Sequence, residues 1–264
     1  MNHVNCFFDY LFHYDLNIWK TVKFNLKVFG LKKGVRMPVF IFGKIDLQNY
    51  HKKCVELSSY KTCSVRIGGG NKCYVHGRRA LHPSVINIKG KVVFGKHVTL
   101  CNGVVLGVGE KGCLKMGDWC FVKINTRIYC ENQITMEEYA RASWDVQIFD
   151  TNFHYTDRNG MIYPKNTPLH IGHHVWIGNR VTITKGAKIP AHCVVSAYSL
   201  VNKDFSNLEE NSLIGGIPAK YLTSGIERIF DYGFEWWLDN YLETESSCVP
   251  HFDVYELYKK ESLR

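Results

Sequence analysis

Four histidines crowd one stretch of the chain, His154 in DTNFHY and His170, His173 and His174 in LHIGHH. Imidazoles there could do two kinds of chemistry. An ordinary pKa of about 6.5 suits a histidine to take a proton from a hydroxyl near neutral pH. Its ring nitrogens also ligate transition metals. Taken alone, a loop histidine is usually just a polar surface group, so the setting of His154 has to decide. Ten cysteines raise the same question of metal. They are scattered, with no CxxC pair and no CxxC followed by HxxxH, so their spacing builds no zinc site. The plainer reading is that they are free thiols packed as small apolar groups.

The setting of His154 is a repeat that breaks. From Ile171 the chain divides into sixes: IGHHVW, IGNRVT, ITKGAK, IPAHCV, VSAYSL and VNKDFS. Ile171, Ile177, Ile183, Ile189, Val195 and Val201 lead them, and Val175, Val181, Ala187, Cys193 and Ser199 follow four residues behind. A helical period of 3.6 would smear this stripe, and an ordinary strand would alternate more strictly. The spacing predicts an all-β solenoid in which each six gives a short strand and a corner. Three sixes complete a coil, and coils stack about 4.8 Å apart, the spacing of hydrogen-bonded strands. The leading aliphatic fills the inside, and the residue four later, near the corner, must be small. One coil cannot bury its own core, so stacking supplies the stability. Cys120 and Cys193 fall at the small inward position. Gly172, Gly178 and Gly186 read as turn residues with unusual dihedrals.

Upstream the pattern is noisier. Phe94, Leu100 and Leu106 keep the spacing, as do Met116, Val122 and Ile128, and then Met136, Ala142 and Ile148. Val65, Ile67, Val75, Val85, Ile86 and Ile88 look strand-like, with no register fixed between residues 45 and 93. The expected division is an N-terminal extension over 1–44, a β-helix over 45–222 and a C-terminal helical segment over 223–264. Between Asp150 and His170 the sixes stop, leaving a loop of about 150–170 that carries His154. Such an excursion is costly unless it has work to do, and loops are where function gathers.

Composition narrows the partners. The chain has 264 residues, 45% of them apolar, enough to fill a substantial core. Its best apolar run, MPVFIFG from Met37, is far short of the roughly 20 residues that cross a bilayer. Acidic Asp9 and Asp15 interrupt any signal-peptide core, so the expected setting is cytoplasmic, with reduced thiols. A net charge of +9 points to an anionic partner. No nucleic-acid motif accompanies it, which leaves a phosphorylated small molecule or a membrane surface. Residues 1–44 carry seven Lys and Arg against two acids, which allows a weak membrane-surface contact.

The segment VWIGNRVTITKGAKIPAHCVVSAYSLVNKD at Val175–Asp204, followed by GGIPAK at Gly215–Lys220, resembles the hexapeptide-repeat acetyltransferases, among them the serine, galactoside, maltose and polysaccharide O-acetyltransferases. ITMEEYARASWDVQIFDTNFHY and the N-terminal KFNLKVFGLKKGVRMPVFIFGKI are similar to capsular and exopolysaccharide acetyltransferases of bacteria. The resemblance implies a left-handed parallel β-helix, a homotrimer with active sites between subunits, acetyl-CoA as co-substrate and no metal. It further implies an O-acetyltransferase of polysaccharide biosynthesis acting on a saccharide hydroxyl, with His154 as general base. Asp145 and Asp150 are the candidate carboxylates to orient the imidazole, each also readable as a corner or turn residue. By the same likeness Asn125 and Trp176 face the acceptor, Asn179, Ala197 and Asn202 contact pantetheine, and Lys203 and Lys220 face the phosphates. Where the family usually has Ile-Gly this chain has Met136-Glu137, so a distorted corner is expected there.

Ile226, Phe230, Phe234, Trp237 and Tyr241 recur at helical spacing, a packing face for the end of the solenoid or for a neighbour. Two other functions remain open. A metal-dependent, carbonic-anhydrase-like β-helix would use the clustered histidines, although that family's paired spacing is absent. A non-catalytic trimeric scaffold would need neither His154 nor GGIPAK.

Overall fold

A computed structural model describes residues 15–68, 82–244 and 248–262. Val75, Cys6, Cys73 and Asp9 lie outside the described residues. The chain separates into a unit ending at Glu227 and a smaller one from Arg228.

The sixes form the predicted coil. Successive strands visit three sheets in rotation, so the chain winds around a triangle. The first face runs through Val39–Ile41, Val65–Ile67, Val98–Leu100, Phe121–Val122, Arg141–Ala142, Trp176–Ile177, Val194–Val195 and Leu213–Gly216. The second face includes Ile45–Gln48, Ser84–Ile88, Arg127–Cys130, Gln147–Phe149, Thr182–Ile183 and Leu200–Val201. The third includes Val55–Leu57, Lys91–Phe94, Gln133–Met136, Leu169–Ile171 and Lys188–Ile189. Hydrogen-bonded neighbours on all three faces pair in parallel, giving the all-β solenoid that the repeat predicts.

The inward residues are those expected from spacing. None of the six leaders from Ile171 to Val201 is more than 1% exposed, and the small followers are buried too. Ile148, Ile183 and Val201 stack in register on the second face, and Met136, Ile171 and Ile189 on the third. Met136 is fully buried in this row, so the Met136-Glu137 corner is not distorted. Glu137 instead turns outward and accepts the His173 backbone N–H at 3.1 Å.

Corners follow a rule that the glycines only partly signal. The fourth residue of each of the first five sixes is in the left-handed region: His174, Arg180, Gly186, His192 and Tyr198 have φ between 55° and 78°. Only Gly186 of the three glycines serves that need. At Gly172 and Gly178 the constraint is space, because a Cβ would lie 2.6 Å from the amide nitrogen of Ala191 or Ala197 on the next coil.

The coil begins earlier than its sequence suggested. Val39–Ile41 pairs with Val65–Ile67, so the first strand lies inside the expected N-terminal extension. MPVFIFG lacks a partner six until residue 45, which hid it. Ahead of it, helix α1 (Ile18–Gly34), capped by the Asn17 side chain on Lys20 N–H, covers the open edge of that strand. Buried Asn25 accepts from Val39 N–H at 3.1 Å and donates to its carbonyl at 2.6 Å, while Thr21 Oγ1 accepts from Ile41 N–H at 3.0 Å. An exposed edge would template pairing with other chains; these side chains use up its hydrogen bonds. At the other end, Ala219–Thr223 folds back antiparallel on Leu213–Gly216.

The excursion leaves the coil at buried Asp150. Its carboxylate accepts two backbone N–H groups, Glu131 and Asn132, each at 2.8 Å. Its carbonyl accepts from Thr167 N–H at 2.9 Å, which brings the far end of the loop back to its start. Between lies a two-stranded hairpin, Thr156–Arg158 with Met161–Tyr163.

In the smaller unit, helix α2 (Tyr232–Thr244) is followed by α3 (His251–Ser262). Asp231 caps α2 by accepting from Gly233 and Phe234 N–H, so Ile226 and Phe230 precede the helix and do not share its stripe. Buried Phe234 packs on Tyr255 and Tyr258 of α3, with ring centroids at 4.9 and 5.3 Å. No helix of the described residues is long and apolar enough to cross a membrane.

Ile183→Asp places an unpaired charge inside the coil and is expected to abolish the folded state; circular dichroism and solubility read it. Asp150→Ala strands two buried amides and should cost about 1–3 kcal/mol for each lost acceptor in urea unfolding.

Candidate active site

The excursion presents His154. Thr151 Oγ1 accepts from Phe153 N–H at 2.9 Å, and His154 N–H bonds the Asn152 carbonyl at 2.7 Å across Phe153, whose φ is 62°. This tight turn is pinned by the Phe153 ring, which sits edge-on to Tyr129 and Phe149 of the second face at 5.6 and 6.1 Å. Room for that cluster comes from Gly107 on the coil before, where a Cβ would lie 2.8 Å from the Tyr129 ring. His154 itself is exposed, and its ring has no hydrogen-bond partner among the described residues.

Neither candidate orienting carboxylate reaches it. Asp150 is spent on the two backbone amides at the loop's base. Asp145 holds a left-handed corner, φ 60°, and pairs with Arg180 Nε at 3.5 Å. Both have structural duties, a competition that proximity in sequence could not show.

The other candidates fall on different corners. Asn125, Asp145, Asn179 and Ala197 lie between the first and second faces. Asn179 and Ala197 are successive rungs there, with Tyr198 N–H donating to the Asn179 carbonyl at 3.0 Å. Lys220 stands opposite Gly215, whose own neighbour on the coil before is Ser196, so it flanks the same end. Trp176 is on the first face, partly exposed, with Nε1–H donating to Ser143 Oγ at 3.2 Å. By contrast His154, Asn202 and Lys203 belong to the corner between the second and third faces, where Lys203 Nζ lies 5.0 Å from the Phe205 ring centroid. One chain therefore divides the set between two corners of its triangle. Asn125 adds a chemical signal: its Oδ1 is buried without a hydrogen-bond partner. Such an acceptor is costly unless something donates to it.

Among the described cysteines Cys54, Cys101, Cys120, Cys130 and Cys193 are buried, Cys63 and Cys113 are half-buried and Cys248 is exposed. Cys120, Cys130 and Cys193 are buried in the coil, and burial pushes the Cys120 thiol up to about 12. Burial raises Cys130 and Cys193 as well, so these sulfurs are protonated and poor nucleophiles.

The histidines do not gather as a group of four. His154 is on the excursion, and His170 Nε2 is 3.0 Å from Glu137 Oε1. His173 and His174 instead meet His192, a residue the sequence reading passed over. The signal was available: His174 and His192 are one coil apart. Both continue a column of rings, His97, Trp119, Tyr139, His174 and His192, on the corner between the third and first faces. Burial, then His192 and His173, hold the His174 pKa below the usual imidazole range.

No family model matches the chain. It is 30% identical over 160 residues to an uncharacterized 24.8 kDa protein in the cps region of Klebsiella pneumoniae, covering 61% of this chain and 65% of that one. Galactoside O-acetyltransferase of Escherichia coli K12 is 33% identical over 82 residues, 31% of this chain and 38% of the enzyme. The dTDP-4-amino-4,6-dideoxy-D-glucose acyltransferase of Escherichia coli is 24% identical over 148 residues, 53% and 75% of the two chains. The first two matches thus span less than two thirds of those relatives' lengths. The six-residue repeat is laid out as a three-sided parallel coil, and the relatives of named activity that the chain resembles are a sugar O-acetyltransferase and a sugar-nucleotide acyltransferase.

Proposed function

We propose that the protein transfers an acetyl group from acetyl-CoA directly to a hydroxyl of a sugar or polysaccharide precursor. The observation that carries this is the excursion: the chain leaves the coil between Phe149 and Leu169, is held at the base of the loop by Asp150, and presents one histidine whose ring has no hydrogen-bond partner among the described residues. A clamp of that kind holds a loop in place; His154 is the titratable group it delivers. Relatives named as a sugar O-acetyltransferase and a sugar-nucleotide acyltransferase support the substrate class.

In the reaction the acceptor O–H gives its proton to a His154 ring nitrogen as the oxygen attacks the thioester carbonyl. The C–S bond then breaks, and the same proton passes to the departing thiolate. Atoms balance without an acyl-enzyme, in keeping with cysteines that are buried and protonated. On this reading Asn125, whose amide oxygen is buried and without a hydrogen-bond partner, would accept from an acceptor hydroxyl once a side-chain rotation exposes it. Pantetheine would follow the rungs of Asn179 and Ala197 towards Lys220, a point charge suited to phosphate.

Because His154 and Asn125 sit on different corners of one chain, the reading requires that neighbouring copies pair these corners, as a closed homotrimer does. Each site then takes its base from one subunit and its acceptor amide from the next.

His154→Ala is expected to lower kcat about 10²–10⁴-fold with little change in the KM for acetyl-CoA. Steady-state assays with a sugar panel and mass spectrometry of the product read it; a change below threefold would remove His154 as the base. Asn125→Ala should chiefly raise the acceptor KM, by about tenfold for one lost hydrogen bond, and an unchanged KM would place the acceptor elsewhere.

A further inference from the structure

We propose that His173, His174 and His192 form a binding site for one divalent first-row transition metal ion, of the zinc and nickel class, on the corner between the third and first faces. Each offers a ring nitrogen, and the three nitrogens lie within 4.8 Å of one another. His173 Nδ1 and His174 Nδ1 are 3.2 Å apart, a ring-to-ring hydrogen bond whose proton an ion would replace. Two nitrogens that each sit about 2.0–2.1 Å from a tetrahedral ion are about 3.3 Å apart, so this pair already has the spacing of metal ligands. Closing the third separation takes about 1.5 Å, within reach of a χ rotation by half-buried rings.

Stacking alone does not explain the group. His174 and His192 are parallel, 9° between planes and 4.9 Å between centroids, as Tyr139 and His174 are in the same column. His173 stands outside that stack. Its ring is perpendicular to both, at 90° and 88°, and turns a nitrogen towards them. One carboxylate stands behind a ligand ring, as carboxylates do at metal sites: Glu227 Oε2 lies 3.6 Å from His192 Nδ1, leaving Nε2 of that ring for an ion. The donor set is three neutral imidazoles from two adjacent coils, which suits zinc, nickel, cobalt or copper rather than magnesium or calcium. An ion there would tie the coil of His173 and His174 to the coil of His192. The site is separate from His154 and does not depend on the transferase reading, although no metal was expected from the sequence.

The test is isothermal titration of zinc chloride into tag-free, chelator-stripped full-length protein, with cobalt absorption in the visible range as a second readout. One ion per chain is expected, together with a rise in the thermal midpoint. His174→Asn and His192→Asn, chosen because asparagine tolerates the left-handed dihedrals of both positions, should each weaken zinc binding at least tenfold. His51→Asn, on a distant coil, should leave it unchanged. Failure of the wild type to take up zinc, or wild-type affinity in both corner variants, would overturn the site.

Discussion

Hydrogen bonds between coils fix each six-residue unit directly above the corresponding unit of the coil before. Leu100 stacks on Val122, Val122 on Ala142, Ala142 on Ile177, and Ile177 on Val195, each in parallel register. A side chain in such a tube therefore has only two neighbours along its row, and its row is set by its place in the six. Every inward position must be apolar and every corner must turn left-handed or leave room for the rung above. This constraint explains the burial of Ile183 and Cys193, the need for Gly178 beneath Ala197, and the column of rings ending at His192.

The same regularity gives the excursion its meaning. A coil of stacked rungs offers flat faces and three ridges, with no cleft of its own. Function has to come from a break in the winding or from a neighbour laid against a ridge. Asp150 secures the break by accepting backbone amides that would otherwise be stranded where the chain departs. His154 is thereby held on one ridge, while Asn125, with its unmatched amide oxygen, waits on another. On the proposed reading, two copies in contact would complete the site.

Much of this was legible in the residues. The leaders from Ile171 to Val201 gave the coil and its register because a period of six has no competing explanation. The excursion announced itself as the place where that period failed. What stayed hidden depended on contacts between coils or between distant segments. Val39–Ile41 reads as a short apolar run, and only its pairing with Val65–Ile67 makes it the first rung. Thr21 and Asn25 look like ordinary polar helix residues, yet they satisfy that rung's open edge. Asp150 seemed a partner for His154 by proximity, but two backbone amides claim it first. The α2 stripe was drawn too long because Ile226 and Phe230 keep helical spacing ahead of the Asp231 cap. His192 was missed although it lies one coil beyond His174.

The most direct test of a site divided between ridges is subunit complementation. His154→Ala and Asn125→Ala chains, each impaired alone, would be co-expressed, the mixed oligomers isolated, and transfer measured at limiting acceptor. In a closed trimer of either mixed composition one of the three sites pairs an intact His154 with a neighbour's intact Asn125, so transfer should recover to about a third of the wild-type rate. Mixed oligomers no more active than the average of the two parents would mean that each chain completes its own site, contradicting the division.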